Sequence, residues 1–145
     1  IKNLDEDIIS EEEDEIILRL TNVDNNVLNL IYALKGDQTE LTGYMDERIV
    51  KLSLKEIFYF DSVDNKVFAY TGKNVYEIHK KLYELEALCT NSDFLRVSKS
   101  VILNLSKIGY VKPILNGRFE AKLKNGEAIV ISRQYVSHLK DKLGI

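Results

Sequence analysis

The chain has 145 residues, 45% apolar and 30% charged, with 20 Lys and Arg against 23 Asp and Glu for a formal net charge of −3. That size and composition fit one ordinary globular domain, or one domain with a small appendage, and exclude global disorder. Apolar runs such as Ile57-Phe58-Tyr59-Phe60 stop at five residues or fewer, where a membrane helix needs about 20, and the single cysteine, Cys89, leaves no internal disulfide and no Cys-cluster zinc site.

In chain order, the acidic run Glu11 to Glu15 leads into a β-like stretch, Ile16 to Leu20. Asp24 or Asn25 can cap a helix to about Lys35, with Val27, Leu28, Ile31 and Leu34 at helical spacing and Gly36 placed to end it. Strands are expected at Thr39–Met45, Ile49–Leu52 and Ile57–Asp61, then, after an Asp64-Asn65 turn, at Val67–Tyr70, and after a Thr71–Asn74 turn at Val75–Ile78. Leu82, Leu85 and Leu88 give a helix from about His79 to Leu88. A strand-like stretch follows at Phe94–Val97 and a tight apolar segment at Ser100–Leu105; Gly109–Leu115, the two-residue turn Asn116-Gly117 and Arg118–Lys124 read as a hairpin, and Lys124-Asn125-Gly126 turns into Glu127–Ser132. Pro113 marks its strand as an edge or a bulge, and a last helix is expected from about Gln134 to Leu143, before Gly144. The expected class is mainly β with short helices (α+β), divided into an acidic strand–helix appendage, residues 1–42, and a β-rich domain, residues 43–145.

Charge is distributed unevenly. Residues 1–47 hold 13 acidic and 3 basic side chains, whereas residues 94–145 hold 10 basic and 3 acidic ones, a local surplus of +7. Screening acts over about 8–10 Å at physiological salt, so the local field matters more than the net charge. Catalysis finds little support: there is no Gly-rich phosphate loop, no Gly-x-Ser-x-Gly and no His-x-x-x-His pair. His79 and His138 read as surface or helix-end residues, and Cys89 as a small packed hydrophobe. The basic third is more telling. Arg96, Ser98 and Ser100 share one strand parity beside Lys99, and Arg133 stands where an apolar strand runs into a helix.

Phe94-x-Arg96-x-Ser98-x-Ser100-x-Ile102-x-Asn104-Leu105-x-x-Ile108, followed by Asn125-Gly126 and Ser132-Arg133-x-Tyr135, resembles the LytTR DNA-binding domain of bacterial response regulators and small transcription factors. Upstream, Leu54-x-x-Ile57-Phe58-Tyr59-Phe60-Asp61 and Asn65-Lys66-Val67 match the start of that domain, so the likeness covers roughly residues 43–145. It implies small antiparallel sheets with short helices, and duplex DNA bound by loops in place of a recognition helix. Three places would carry the contacts: Asn65 and Lys66 after the aromatic strand, Arg96, Ser98, Lys99 and Ser100, and Arg133 before the last helix. Arginine and lysine suit guanine O6 and N7, Asn suits adenine, and Ser and Lys suit phosphate. Asp64 departs from this pattern by placing a negative charge in the first loop. Asn104 fits a turn better than DNA, while Tyr135, Ile102, Leu105 and Ile108 fit the core.

The expected function is thus that of a cytoplasmic, sequence-specific DNA-binding transcriptional regulator, a homodimer on repeated half-sites, with no catalytic residues, metal, cofactor or small-molecule substrate. Only about 45 residues precede the LytTR-like part, too few for a receiver domain of about 120, so a stand-alone regulator is expected. In similar short proteins a small membrane protein restrains the regulator, and the resemblance implies the same partner here. The acidic head is expected to serve assembly or regulation. Two alternatives stay open: a protein-interaction module that binds a membrane or soluble partner without DNA, and a β-rich RNA-binding protein.

Overall fold

The computed structural model describes residues 40–145, together with Val27. The strand expected in the acidic head lies outside the described residues, as do Thr39 and the expected helix apart from Val27, which is helical.

Seven strands form one antiparallel sheet. The strands β1 (Glu40–Met45), β2 (Arg48–Ser53), β3 (Ile57–Val63), β4 (Lys66–Thr71), β5 (Val75–Ile78), β6 (Phe94–Arg96) and β7 (Val101–Asn104) lie in the spatial order β2-β1-β5-β4-β3-β7-β6. A second sheet has the order β10-β9-β8, built from β8 (Ile108–Pro113), β9 (Phe119–Leu123) and β10 (Ala128–Ile131). Among residues 40–145 there are two α-helices, α1 (Leu82–Leu88) and α2 (Val136–Leu143), and four single 3-10 turns. The expected mainly β class is the one observed.

β3 and β7 bury both faces. Ile57, Phe60 and Ile102 belong to one core with Leu82 and Leu85 of α1, while Tyr59 and Leu103 belong to another with Ala121, Leu123, Ile131 and Leu139. Strict alternation would put Ile57 and Phe60 on opposite faces. A register shift between Ile57 and Tyr59 in the β3–β4 pairing inserts the extra residue that brings them to the same side. Across the second core, Tyr59 stacks on Tyr70 at 4.4 Å between ring centroids, and its hydroxyl donates to Glu127 Oε2 at 3.2 Å, tying the central sheet to the β9–β10 turn.

The turns explain the connections. Asp64 and Asn65, at φ 53° and 66°, are successive left-handed residues between the paired Val63 and Lys66. That is the two-residue hairpin geometry whose twist suits the flanking strands. The Asn116-Gly117 turn is longer than expected, because Ile114 N–H donates to Arg118 C=O at 2.9 Å around three enclosed residues. Pro113 ends β8, an edge strand as expected, and the irregularity of that strand falls between Ile108 and Tyr110.

Two expectations need correction. The helix after β5 starts at Leu82, three residues later than the apolar spacing suggests. Glu84 Oε1 accepts from Lys81 N–H at 2.7 Å and caps the helix there, while His79 lies outside it, stacked on Tyr44 at 3.8 Å. Val97 and Ser100 also leave the strands, because β6 ends at Arg96 and Val97 N–H bonds across the loop to Val101 C=O at 3.0 Å.

Cys89 closes α1 and is 3% exposed, and burial pushes its thiol from 9.0 up to about 12, against a smaller opposing hydrogen bond with Ser92. Burial raises the hydroxyls of Tyr59 and Tyr70 in the same direction. Each group holds its proton more tightly when folded, so its contribution to stability is complete below the unfolded pKa and is lost as pH climbs toward the folded one. The urea midpoint is expected to fall as pH rises through about 9 to 11, and to fall less steeply in Cys89→Ala. A midpoint flat across that window would contradict the buried thiol.

Candidate nucleic-acid interface

Main-chain hydrogen bonds join segments distant in sequence. Ser62 N–H at the end of β3 donates to Ser100 C=O at 2.9 Å, and Ser132 N–H after β10 donates to Val97 C=O at 2.9 Å. The 97–100 loop is therefore held between the β3–β4 hairpin and the segment that enters α2. These are the three places where the sequence puts candidate contacts, and the fold brings them together.

The side chains fall into two groups. Asn65 and Lys66 at the hairpin, Lys99 at the loop, and Arg133 are exposed, whereas Arg96, Ser98 and Ser100 are half-buried. Arg96 turns back on the loop it precedes: Nε donates to Ser98 C=O at 2.8 Å, one terminal nitrogen to Lys99 C=O at 2.5 Å, and the other to Glu86 Oε1 at 2.9 Å. Its guanidinium thus grips two loop carbonyls and one α1 carboxylate. Ser98 Oγ accepts from Ser100 N–H at 3.3 Å and closes the same turn. The loop is built so that Lys99 stands out at its tip.

Three further lysines of the basic third are engaged. Lys112 is 3.7 Å from Glu120, while Lys107 and Lys140 lie over the rings of Phe58 and Phe119. Among the described residues no carboxylate pairs with Lys99 or Arg133. Beside Arg133, an open concavity of about 460 Å³ is lined by Asn116, Arg118, Ser132 and Arg133, with two guanidiniums and no carboxylate. The hollow of about 400 Å³ that Asn65 and Lys66 border is mixed, with Glu77 and Glu84 beside Lys80 and Lys81. Anionic chemistry suits the first of these more than the second, where two carboxylates stand among the cations.

Asn116, Gly117 and Arg118 are absent from the sequence-derived set. The Asn-Gly pair signals a turn, but nothing in the sequence indicates that this turn reaches Arg133. Asn104 is structural, as expected: it is 3% exposed, donates Nδ2–H to Ile57 C=O at 2.9 Å, and accepts at Oδ1 from Ser106 N–H and Oγ–H. Ile102 is buried, and Leu105, Ile108 and Tyr135 pack against the second core. No helix of the described residues is long and apolar enough to cross a membrane.

Comparison with known proteins gives a consistent picture. The LytTr DNA-binding domain of a regulator from Bacillus cereus superposes with a TM-score of 0.70 at 22% identity, covering 74% of this chain and 98% of that one, which establishes the fold. The sensory transduction protein LytT of Bacillus anthracis is 33% identical over 101 residues, 70% of this chain and 41% of LytT. The chain thus spans about two fifths of that relative's length. An uncharacterized HTH-type transcriptional regulator of Staphylococcus aureus is 29% identical over 141 residues, 94% of this chain and 93% of that protein. The family model for the LytTr DNA-binding domain matches residues 47–144. On that match, and on the fold it accompanies, the chain belongs to the LytTR DNA-binding domain family.

Proposed function

We propose that the chain is a transcriptional regulator that binds duplex DNA sequence-specifically through the loops bearing Asn65, Lys66, Ser98, Lys99, Ser100 and Arg133. The observation that supports this reading is the pair of main-chain bonds, Ser62 to Ser100 and Ser132 to Val97, that tie the 97–100 loop to the strand before the β3–β4 turn and to the segment before Arg133. Loops tied in this way can follow the backbone of a duplex while single side chains enter a groove. Arg133 is assigned to a guanine edge, Asn65 to an adenine edge, and Lys66, Lys99 and the two serines to phosphates. Arg96 holds the loop for them. A cytoplasmic homodimer on repeated half-sites, without chemistry of its own and restrained by a small membrane protein, completes the proposal.

Selection of bound duplexes from a random pool tests it directly. An enriched repeat supports the dimer, and an enriched single half-site removes it. With the selected duplex, Arg133→Ala is expected to cost about 1–3 kcal/mol and to relax the preference at one base pair. Lys99→Ala is expected to weaken all sequences evenly. A folded Arg133→Ala protein that binds the selected duplex as tightly as the parent does would overturn the role given to Arg133.

A further inference from the structure

The Asn116-Gly117 turn lies directly under Arg133. A Cβ built on Gly117 would stand 2.9 Å from Arg133 Cδ and 3.1 Å from Cγ, closer than carbon atoms approach without one of them moving. The neighbouring contact in that direction is the arginine stem alone. Around it the site is otherwise fixed: Ser132 N–H is bonded to Val97 C=O, Tyr135 N–H to Ser132 C=O at 2.8 Å, and Arg118 Nε to Leu115 C=O at 3.1 Å. Among the described residues, no hydrogen bond or ion pair holds the Arg133 side chain.

We infer that Gly117 is a positioning residue for DNA reading: its bare Cα is the bed on which the Arg133 stem lies, and this sets where the guanidinium points. The inference rests on the DNA-binding role given to Arg133 above. An arginine that reads a base edge must present two donors in one plane, so a displaced stem costs sequence discrimination more than it costs general attraction to the duplex. A methyl group at Gly117 moves the stem, because the end of an exposed side chain yields more easily than the main chain of the turn.

Gly117 also has φ +73°, so Gly117→Ala strains the backbone as well as crowding the arginine. The molecule supplies its own control. Gly126, in the other hairpin of the same sheet, has φ +95° with nothing within 4 Å of its built Cβ, so Gly126→Ala introduces comparable strain without a contact. The full chain and its Gly117→Ala, Gly126→Ala, Arg133→Ala and Gly117→Ala/Arg133→Ala variants are titrated against the duplex selected from the random pool and a shuffled duplex of equal length.

Gly117→Ala is expected to lower the affinity for the selected duplex about tenfold more than Gly126→Ala does, while the two bind the shuffled duplex alike. In the Arg133→Ala background, Gly117→Ala is expected to add no loss beyond that of Gly126→Ala, since the group it displaces is gone. Equal effects of the two glycine variants on discrimination, with Arg133→Ala still harmful, would overturn the positioning role and leave Arg133 as a contact. An Arg133→Ala protein that discriminates like the parent would overturn both.

Discussion

Raising the salt concentration tenfold is expected to weaken binding to the selected duplex about five-hundredfold. On the proposed interface, Lys66 and Lys99 at their phosphates, with Arg118 beside Arg133 as a third cation, neutralise about three phosphates, each contributing about −0.9 to the slope of log affinity against log salt. The surplus of +7 over residues 94–145 overstates the effect, because Lys107, Lys112 and Lys140 are engaged with Phe58, Glu120 and Phe119. A titration series in rising sodium chloride measures the slope. An affinity unchanged between low and physiological salt would count against duplex DNA and in favour of a protein partner. A slope near −7 would show that the lysines assigned to internal contacts reach the duplex after all.

The largest effect on stability is expected at Phe60. Its side chain is 0% exposed, and its ring lies 5.6 Å from that of Phe94, tilted by 39°. Phe60→Ala removes a ring from a core shared by β3, β6 and α1 and is expected to cost about 3–5 kcal/mol. Against a total of about 5–15 kcal/mol for an ordinary domain, that leaves a marginal fold. Phe60→Leu keeps much of the volume and is expected to lose far less. Urea unfolding followed by circular dichroism compares the two. Because β3 also carries Ser62, whose N–H holds the 97–100 loop, DNA binding is expected to disappear at the same urea concentration as the fold. A loss under about 1 kcal/mol in Phe60→Ala would contradict its place at the centre of the core.

Much of this architecture is legible in the residues, and the parts that are not share a cause. Asp64-Asn65 reads as a turn because short polar side chains tolerate the left-handed region, and both residues occupy it. Pro113 reads as an edge residue because it has no N–H to give a neighbouring strand, and it ends the edge strand β8. The shift in register after Ile57 is hidden, because Ile57-Phe58-Tyr59-Phe60 is apolar throughout and a strand buried on both faces shows no alternation. The helix start at Leu82 is hidden for a local reason, since the Glu84 carboxylate on Lys81 N–H outweighs the apolar spacing.

The candidate interface divides in the same way. The motif spacing picks out Lys99 and Arg133, and both are exposed with no carboxylate beside them among the described residues. Parity alone groups Arg96 with Ser98 and Ser100 on one strand face. The chain leaves the sheet after Arg96, and the guanidinium folds back to hold carbonyls of that loop. The meeting of Gly117 with Arg133 is a tertiary event between two connections of the small sheet, and no local pattern announces it.

The bonds that gather the loops run from amide to carbonyl, Ser62 to Ser100 and Ser132 to Val97, and engage no side chain. Any residue with an N–H can stand at the donor positions, so proline alone is barred there by this requirement. Side chains at the loop tips are therefore free to vary while the frame that presents them is kept. Descendants of such a domain can acquire new operators by exchanging a few exposed residues, with little of the stability loss that usually slows the evolution of a binding surface.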